Sequence, residues 1–548
     1  MSSTTVQGGA ASAVWRWILL LVVLAVATAA RLPLLELEFG RNADGTGTLY
    51  SLAARNYLLR DNLPTLWMPV ISVGDAASPP TVYAHHPPGV PLLMALSLLL
   101  FGDHTPAHRL PAAVFTVLTS GALFLLLTRP SPDGSAVSRA RLLTASATAT
   151  LLAVSPLAVR FGQMPDVVNS QLVFFMLLTL HLHLRVIERP TPARGAAAVA
   201  AMLAAALTDW PAFFLFLVLF AHALLRRRWA WAAVLAVVSV LLFASLASWA
   251  SLAAGDWGLL PRQFANRSIK SSTDDLVPFT WADWLGYAVA VTVRQLGPLL
   301  ALAAAIGVVA AALQRHASVR TAVLLLACTA FLHAVVGRQA AFNHDWWWWP
   351  VSAALLLAAG GLLTTLRPPL LAATVSAVLL GGTGYAGFRE YQRVTSDAFQ
   401  TGAETHYTLP ELADVVRRHT PPNRTVLLFQ DDLQPYVLYH LRRPVIQRVW
   451  DAESFNAALH ATTADLFYTF RQTLNPAQAP AVLVIPAVYA PKAAGLLGHV
   501  RGRFPEIADG KFLVFLLDDP PARPSPAART PSARTPAARP PPSFSPDP

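Results

Sequence analysis

Apolar runs long enough to cross a lipid bilayer dominate this chain, and nothing else in it constrains the fold so strongly. A span needs about 20 mostly apolar residues. Eleven such runs are legible, at about 13–30, 109–128, 141–158, 168–187, 195–208, 211–225, 229–248, 294–313, 320–337, 348–366 and 369–387. With 54% hydrophobic and 13% charged residues over 548 positions, most of the mass belongs in lipid. The formal net charge of +11 does not point to nucleic acid, because the arginines are scattered between apolar runs as membrane topology scatters them. The single cysteine, Cys328, excludes a disulfide framework and a cysteine metal site. The richness in Ala, Arg and Pro is that of a GC-rich bacterial genome.

Short basic connections follow alternate runs: Arg129 to Arg141, Arg185 to Arg194, Arg226 to Arg228, Arg315 to Arg320, and Arg367. The positive-inside rule puts these in the cytoplasm, with the N-terminal residues 1–12. Segments 31–108, 249–293 and 388–548 then lie outside the inner membrane, and so do Asp44, Asp166, Asp209 and Asp345. The apolar stretch Gly89 to Gly102 is too short for an ordinary span and reads as an interfacial or re-entrant helix. Counting it as a span would invert every later loop against the arginines. The first run reads as a retained anchor, with Trp15 and Arg16 at its inner edge. A cleaved signal peptide ending near Ala27-Thr28-Ala29 is the alternative.

In the long first loop, Leu49, Tyr50, Ala53, Ala54 and Tyr57 recur at helical spacing, which predicts an amphipathic helix on the membrane surface. The membrane domain runs over 13–388. From 389 to 519 β-rich runs (Thr425 to Phe429, Pro444 to Val449, Ala481 to Ile485, Lys511 to Leu517) alternate with helical stretches, predicting a small extracytoplasmic α/β domain. Residues 520–548 are Pro, Ala, Ser and Arg repeats that cannot bury a core and read as disordered.

Several polar groups share the outer face. Asp44 stands just before the first-loop helix, where partial desolvation suits a general base; the plainer reading is a helix N-cap. Tyr83-Ala-His85-His86-Pro87-Pro88 leads into the short apolar helix and offers imidazole donors, or a simple turn. Arg160, Asp166, Asp209 and His344-Asp345 follow in outer turns. The four tryptophans after Asp345 read as an interfacial aromatic belt, with sugar stacking as the sharper alternative. Arg262, Arg267 and Lys270 could grip a lipid-borne phosphate or anionic lipid. Gly382-Thr-Gly384-Tyr-Ala-Gly387 matches a dinucleotide fingerprint by letters but ends an apolar run, and is rejected.

Taken in order, Asp44, the Tyr50-to-Arg55 helix, His86-Pro87-Pro88, Phe101-Gly102, Arg109-Leu110-Pro111 and Pro165-Asp166 resemble the GT-C membrane glycosyltransferases. The resemblance is to the family 39-like group that includes protein mannosyltransferases, the lipid A aminoarabinose transferase and rhizobial galacturonosyltransferases. It spans residues 10–370 and leaves the C-terminal domain outside. It implies transfer of a sugar from a polyprenyl phosphate to a hydroxyl of a lipid, glycan or protein, with inversion. Asp44 would act as base and Asp166 would position base or acceptor. Arg160, Arg267, Lys270 or His344 would hold the carrier phosphate, and Tyr50, Arg55, His85, His86, Asp209 and Asp345 would position substrate. No cofactor is required; a divalent metal is possible but nothing indicates one. Gly45, where protein mannosyltransferases carry Glu, points to the polysaccharide- or lipid-modifying branch. A transporter or flippase of lipid-linked sugars, or a non-catalytic assembly protein on the same scaffold, are the competing readings. A transporter would favour repeated halves, which the sequence lacks.

Overall fold

The computed structural model describes residues 3–39, 45–74, 78–130, 137–166, 168–268, 279–311, 317–397, 399, 407–429, 435–467 and 470–517. Helices make up the membrane part. The first are α1 (Ser3–Ala29), α2 (Leu32–Leu35), α3 (Gly45–Leu59), α4 (Gly89–Phe101), α5 (Thr105–Leu127), α6 (Arg139–Val154) and α7 (Pro156–Phe161). Next come α8 (Ser170–Glu188), α9 (Pro192–Thr208), α10 (Ala212–Leu225), α11 (Trp229–Ala254), α12 (Leu259–Ser268) and α13 (Trp281–Leu296). The series closes with α14 (Pro298–Ala311), α15 (Ala317–Val336), α16 (Arg338–Asn343), α17 (Trp349–Leu363) and α18 (Pro369–Val394). Seven helices among the described residues are long and apolar enough to span a bilayer, or up to eight if the pair α13 and α14 is one bent span. Gly89–Phe101, Pro192–Thr208 and Ala212–Leu225 are shorter apolar helices.

Two of the expected continuous runs are broken, each for a local reason. At 141–158 Ser155 ends α6 and caps α7, its hydroxyl accepting from the Ala158 N–H, and Pro156 has no N–H to continue the first helix. At 294–313 the chain turns by 116° at Gly297, whose φ of +81° is left-handed, just before Pro298. The first-loop helix forms where the spacing predicts it, but it does not lie on a surface. Residues 47–57 are all buried, packed between α4 and the C-terminal part of the chain. The belt expected of the tryptophans also fails: Trp347, Trp348 and Trp349 are buried inside the bundle, and Trp348 donates to the Ala341 carbonyl at 2.8 Å.

The two ends of the bundle differ. At one end Arg16 meets Thr128 at 3.1 Å, Arg129 pairs with Glu188 at 2.8 Å, and Arg141 donates to the carbonyls of Leu127 and Arg129. The acidic turns gather at the other end, beneath a seven-stranded sheet. Its strands are β1 (Thr425–Leu428), β2 (Val445–Ile446), β3 (Thr463–Phe467), β4 (Phe470–Thr473), β5 (Pro480–Pro486), β6 (Glu506–Asp509) and β7 (Phe512–Leu516), in the order β4-β3-β2-β1-β5-β7-β6. β1 runs parallel to β2 and β5, and the outer pairs are antiparallel. Side-chain alternation splits its core: Val426, Leu428, Val482, Val484 and Val514 join the core continuous with the membrane helices. Leu427, Leu483, Ile485 and Phe515 join a second cluster under the helices Ala452–Leu459 and Ala494–Val500. The Pro-rich tail expected to be disordered lies outside the described residues.

Candidate active site

The site is organised around the first turns of α3. Thr46 donates through its hydroxyl to Asp166 Oδ2 at 2.7 Å, and Asp166 is buried. A Cβ on Gly47 would stand 3.2 Å from the Pro165 ring, so glycine lets this helix start lie against the Pro165-Asp166 turn. Asp44 itself lies outside the described residues, two positions before Thr46. One turn further along α3, Tyr50 packs edge-on to His86 at 6.5 Å between ring centres and to Tyr83 at 6.2 Å. His86 Nδ1 meets Asp209 Oδ1 at 2.7 Å, with both groups buried; among the described residues Asp209 Oδ2 has no partner. That arrangement fixes the imidazole, and a buried carboxylate oxygen without a donor is costly unless something else supplies one. Trp210 Nε1 donates to the His85 carbonyl at 3.0 Å, tying the same turn to the His85-His86 segment.

A second cluster lies on the far side of the 161–166 turn. Asp345 accepts from Arg160 at 2.9 Å, Tyr287 at 2.5 Å and Arg294 at 3.3 Å, while its carbonyl accepts from Gln295 at 2.6 Å. The carboxylate expected to position substrate is therefore committed to holding three protein groups. His344 stacks on Trp346 at 4.6 Å, and Trp346 stands 6.5 Å from Phe161. Beside this cluster opens a pocket of about 540 Å³ between α7, the α13–α14 elbow and the end of α18. Arg294, Arg389 and Arg393 line it with Glu390, whose carboxylate is taken by Arg393. Arg160, on α7 itself, brings the local count among the described residues to four arginines against two carboxylates, Glu390 and Asp345. Lys270 lies outside the described residues; Arg267 belongs to α12, and its side chain is outside the description.

Arg55, expected to position substrate, instead faces the C-terminal domain. It forms a forked pair with Asp103 at 2.9 and 3.0 Å, donates to the Tyr439 carbonyl at 2.9 Å, and its guanidinium covers the Tyr439 ring at 3.9 Å. Burial alone would raise the Asp103 pKa. The His108 hydrogen bond and the Arg55 and Arg442 charges outweigh it and hold the carboxyl well below its usual range.

Sequence reasoning did not single out Thr46, Arg31, Asp103, Tyr287, Arg294, Arg389 or Arg393. Arg31 carried the one usable signal, a charge at the end of an apolar run. It is buried and donates to the carbonyls of Ala153 (2.8 Å) and Ala158, so it closes the α6–α7 break. Among the described residues no group of three or more His, Cys, Asp or Glu is placed to hold a metal ion.

Residues 85–249 match the family model described as dolichyl-phosphate-mannose-protein mannosyltransferase. Among curated proteins none matches. The fold is that of ArnT from Cupriavidus metallidurans, solved bound to undecaprenyl phosphate: TM-score 0.59 at 17% identity, over 93% of this chain and 99% of that one. It is also similar to the oligosaccharyltransferase of Archaeoglobus fulgidus in the apo form, with TM-score 0.56 at 13% identity, over 87% of this chain and 70% of that one. The likeness to ArnT reaches past residue 370, so the C-terminal part, expected to stand outside the resemblance, shares in it. Residues 85–249 thus resemble the dolichyl-phosphate-mannose-protein mannosyltransferases, and the chain as a whole shares the helical membrane fold of ArnT and the archaeal oligosaccharyltransferase.

Proposed function

We propose that the protein transfers a glycosyl residue from a polyprenyl-phosphate donor to an acceptor hydroxyl at the outer face of the inner membrane, with inversion. The acceptor oxygen attacks the anomeric carbon as the bond from that carbon to the carrier phosphate breaks. The electron pair leaves with the phosphate and the hydroxyl proton passes to a carboxylate. Asp44 is the base in this reading, and Asp166 orients the base or the acceptor. The observation that carries it is the 2.7 Å hydrogen bond from Thr46 to Asp166, which joins the start of the Asp44 helix to the second acid across 120 residues.

The carrier phosphate belongs in the arginine-rich pocket, where Arg294, Arg389 and Arg393 supply the positive charge that stabilises a leaving phosphate and no metal is called for. Arg160 supports them through Asp345, and His344 borders the same turn. The solved ArnT binds undecaprenyl phosphate, which favours a carrier of that kind. The test is sugar transfer by the purified protein with Asp44→Asn and Asp166→Asn. Loss of a positioned acid or base costs roughly 100- to 10,000-fold in rate, and carrier binding should persist. Transfer at the unaltered rate in both variants would sink the proposal.

A further inference from the structure

A second pocket, of about 480 Å³, lies between the first loop, the end of α11 and strand β4 of the sheet domain. Its wall carries His85, Phe470, Asp256, Arg471 and two threonines, Thr81 and Thr473. The aromatic side is built: His85 stacks on Tyr83 at 4.8 Å and 27°, and Phe470 meets both rings at 5.1 and 5.6 Å. The wall also carries one charge of each sign, Asp256 and Arg471. Asp256 is fixed in place, accepting from the Gly258 N–H at 2.9 Å and from Arg262.

We propose that this pocket binds the saccharide of the acceptor, and the proposal rests on the transfer reaction above. A sugar ring has an apolar C–H face and a rim of hydroxyls. It fits a cavity that offers both aromatic surface and mixed donors and acceptors. The charge balance separates this pocket from the arginine-rich one, which suits phosphate; with Asp256, Arg471 and two threonines on its wall it is a poor host for an acyl chain. The position supplies the second argument. His85 borders the pocket, while its neighbour His86 is held by Asp209 and packs against Tyr50 of α3. A sugar seated here therefore lies beside the helix that follows Asp44. Phe470 and Arg471 come from the sheet domain, so acceptor recognition is shared between that domain and the membrane part.

The test uses full-length protein in phospholipid nanodiscs free of glycoside detergent. Saturation-transfer NMR is run with maltose, lactose and diacetylchitobiose, and undecaprenyl phosphate binding is measured in parallel. At least one disaccharide should receive saturation on its ring protons. Phe470→Ala should cut that signal at least fivefold while carrier binding stays unchanged, and Phe470→Trp, which keeps an aromatic face, should retain it. Absence of any signal above empty nanodiscs, or a Phe470→Ala protein that folds and still gives the full signal, overturns the inference. If Asp44→Asn and Asp166→Asn both leave transfer intact while the saccharide signal still depends on Phe470, the reaction scheme fails and the sugar pocket stands.

Discussion

Thr46 shows how a single side chain changes the meaning of a sequence signal. The motif Asp44-Gly-Thr-Gly was read for its aspartate, yet the hydroxyl two places later makes the bond to Asp166. A hydrogen bond to a charged group contributes about 1.5–3 kcal/mol. Thr46→Val should therefore slow transfer about tenfold or more, with Thr46→Ser restoring it; turnover of the two purified variants decides the matter. Arg31 works in the opposite sense, serving the fold alone. Arg31→Leu removes a donor from the buried carbonyls of Ala153 and Ala158, of which Ala158 keeps the Gly162 N–H; the carbonyl left without one costs about 1–3 kcal/mol, and the thermal unfolding midpoint in detergent should fall. The sequence marks Arg31 only as the end of a span, because its partners lie more than 120 residues away.

Among the elements, α18 explains a false motif. Gly382-Thr-Gly384-Tyr-Ala-Gly387 has the letters of a nucleotide-binding turn, but a Cβ on Gly387 would run into the Val154 carbonyl at the α6–α7 break, whereas Gly384 faces open space. The glycines let two helices cross closely. Gly387→Ala should destabilise by about 1–3 kcal/mol through overpacking, while Gly384→Ala should be neutral or gain up to about 1 kcal/mol in helix propensity; unfolding curves of the pair distinguish packing from ligand binding. The same scale separates legible from illegible spans. α5, α8 and α11 were readable because their apolar runs are long and uninterrupted, whereas the α13–α14 elbow depends on one left-handed glycine before a proline.

Across the whole molecule the sheet domain is a wall of the membrane part. Gln472 donates to the Val73 carbonyl and accepts from the Val73 N–H, both at 2.8 Å; His440 meets the Phe39 carbonyl at 3.0 Å, and Arg442 meets Asp103 at 3.1 Å. Burial pushes the His440 imidazole below its usual range. Both His440 and Asp103 have depressed values in the fold, so each stabilises the joint above its unfolded pKa and loses that contribution as pH falls below it. Hydrogen-exchange protection factors over residues 435–442, corrected for the intrinsic rate, should therefore fall below about pH 6.5, where an unfolded histidine protonates, and again below about pH 4 with the aspartate. His440→Gln should flatten the first step and Asp103→Asn the second.

Truncation before residue 396 should uncover the face of α3 where Arg55 meets the Tyr439 carbonyl and ring, and yield a protease-sensitive membrane part. An independently hinged domain would leave that part resistant.

By itself the sequence determined the longest apolar spans, the first-loop helix and most of the strands, because periodicity and run length are local properties of the chain. It also marked Asp166, His86 and Asp209 as polar groups worth attention. Only the tertiary structure decided their partners: Asp166 with Thr46, His86 with Asp209, Arg160 with Asp345, and Arg55 turned away to Asp103. Each of these contacts joins positions 48 to 185 residues apart, and what brings them together is helix packing and the sheet laid over them.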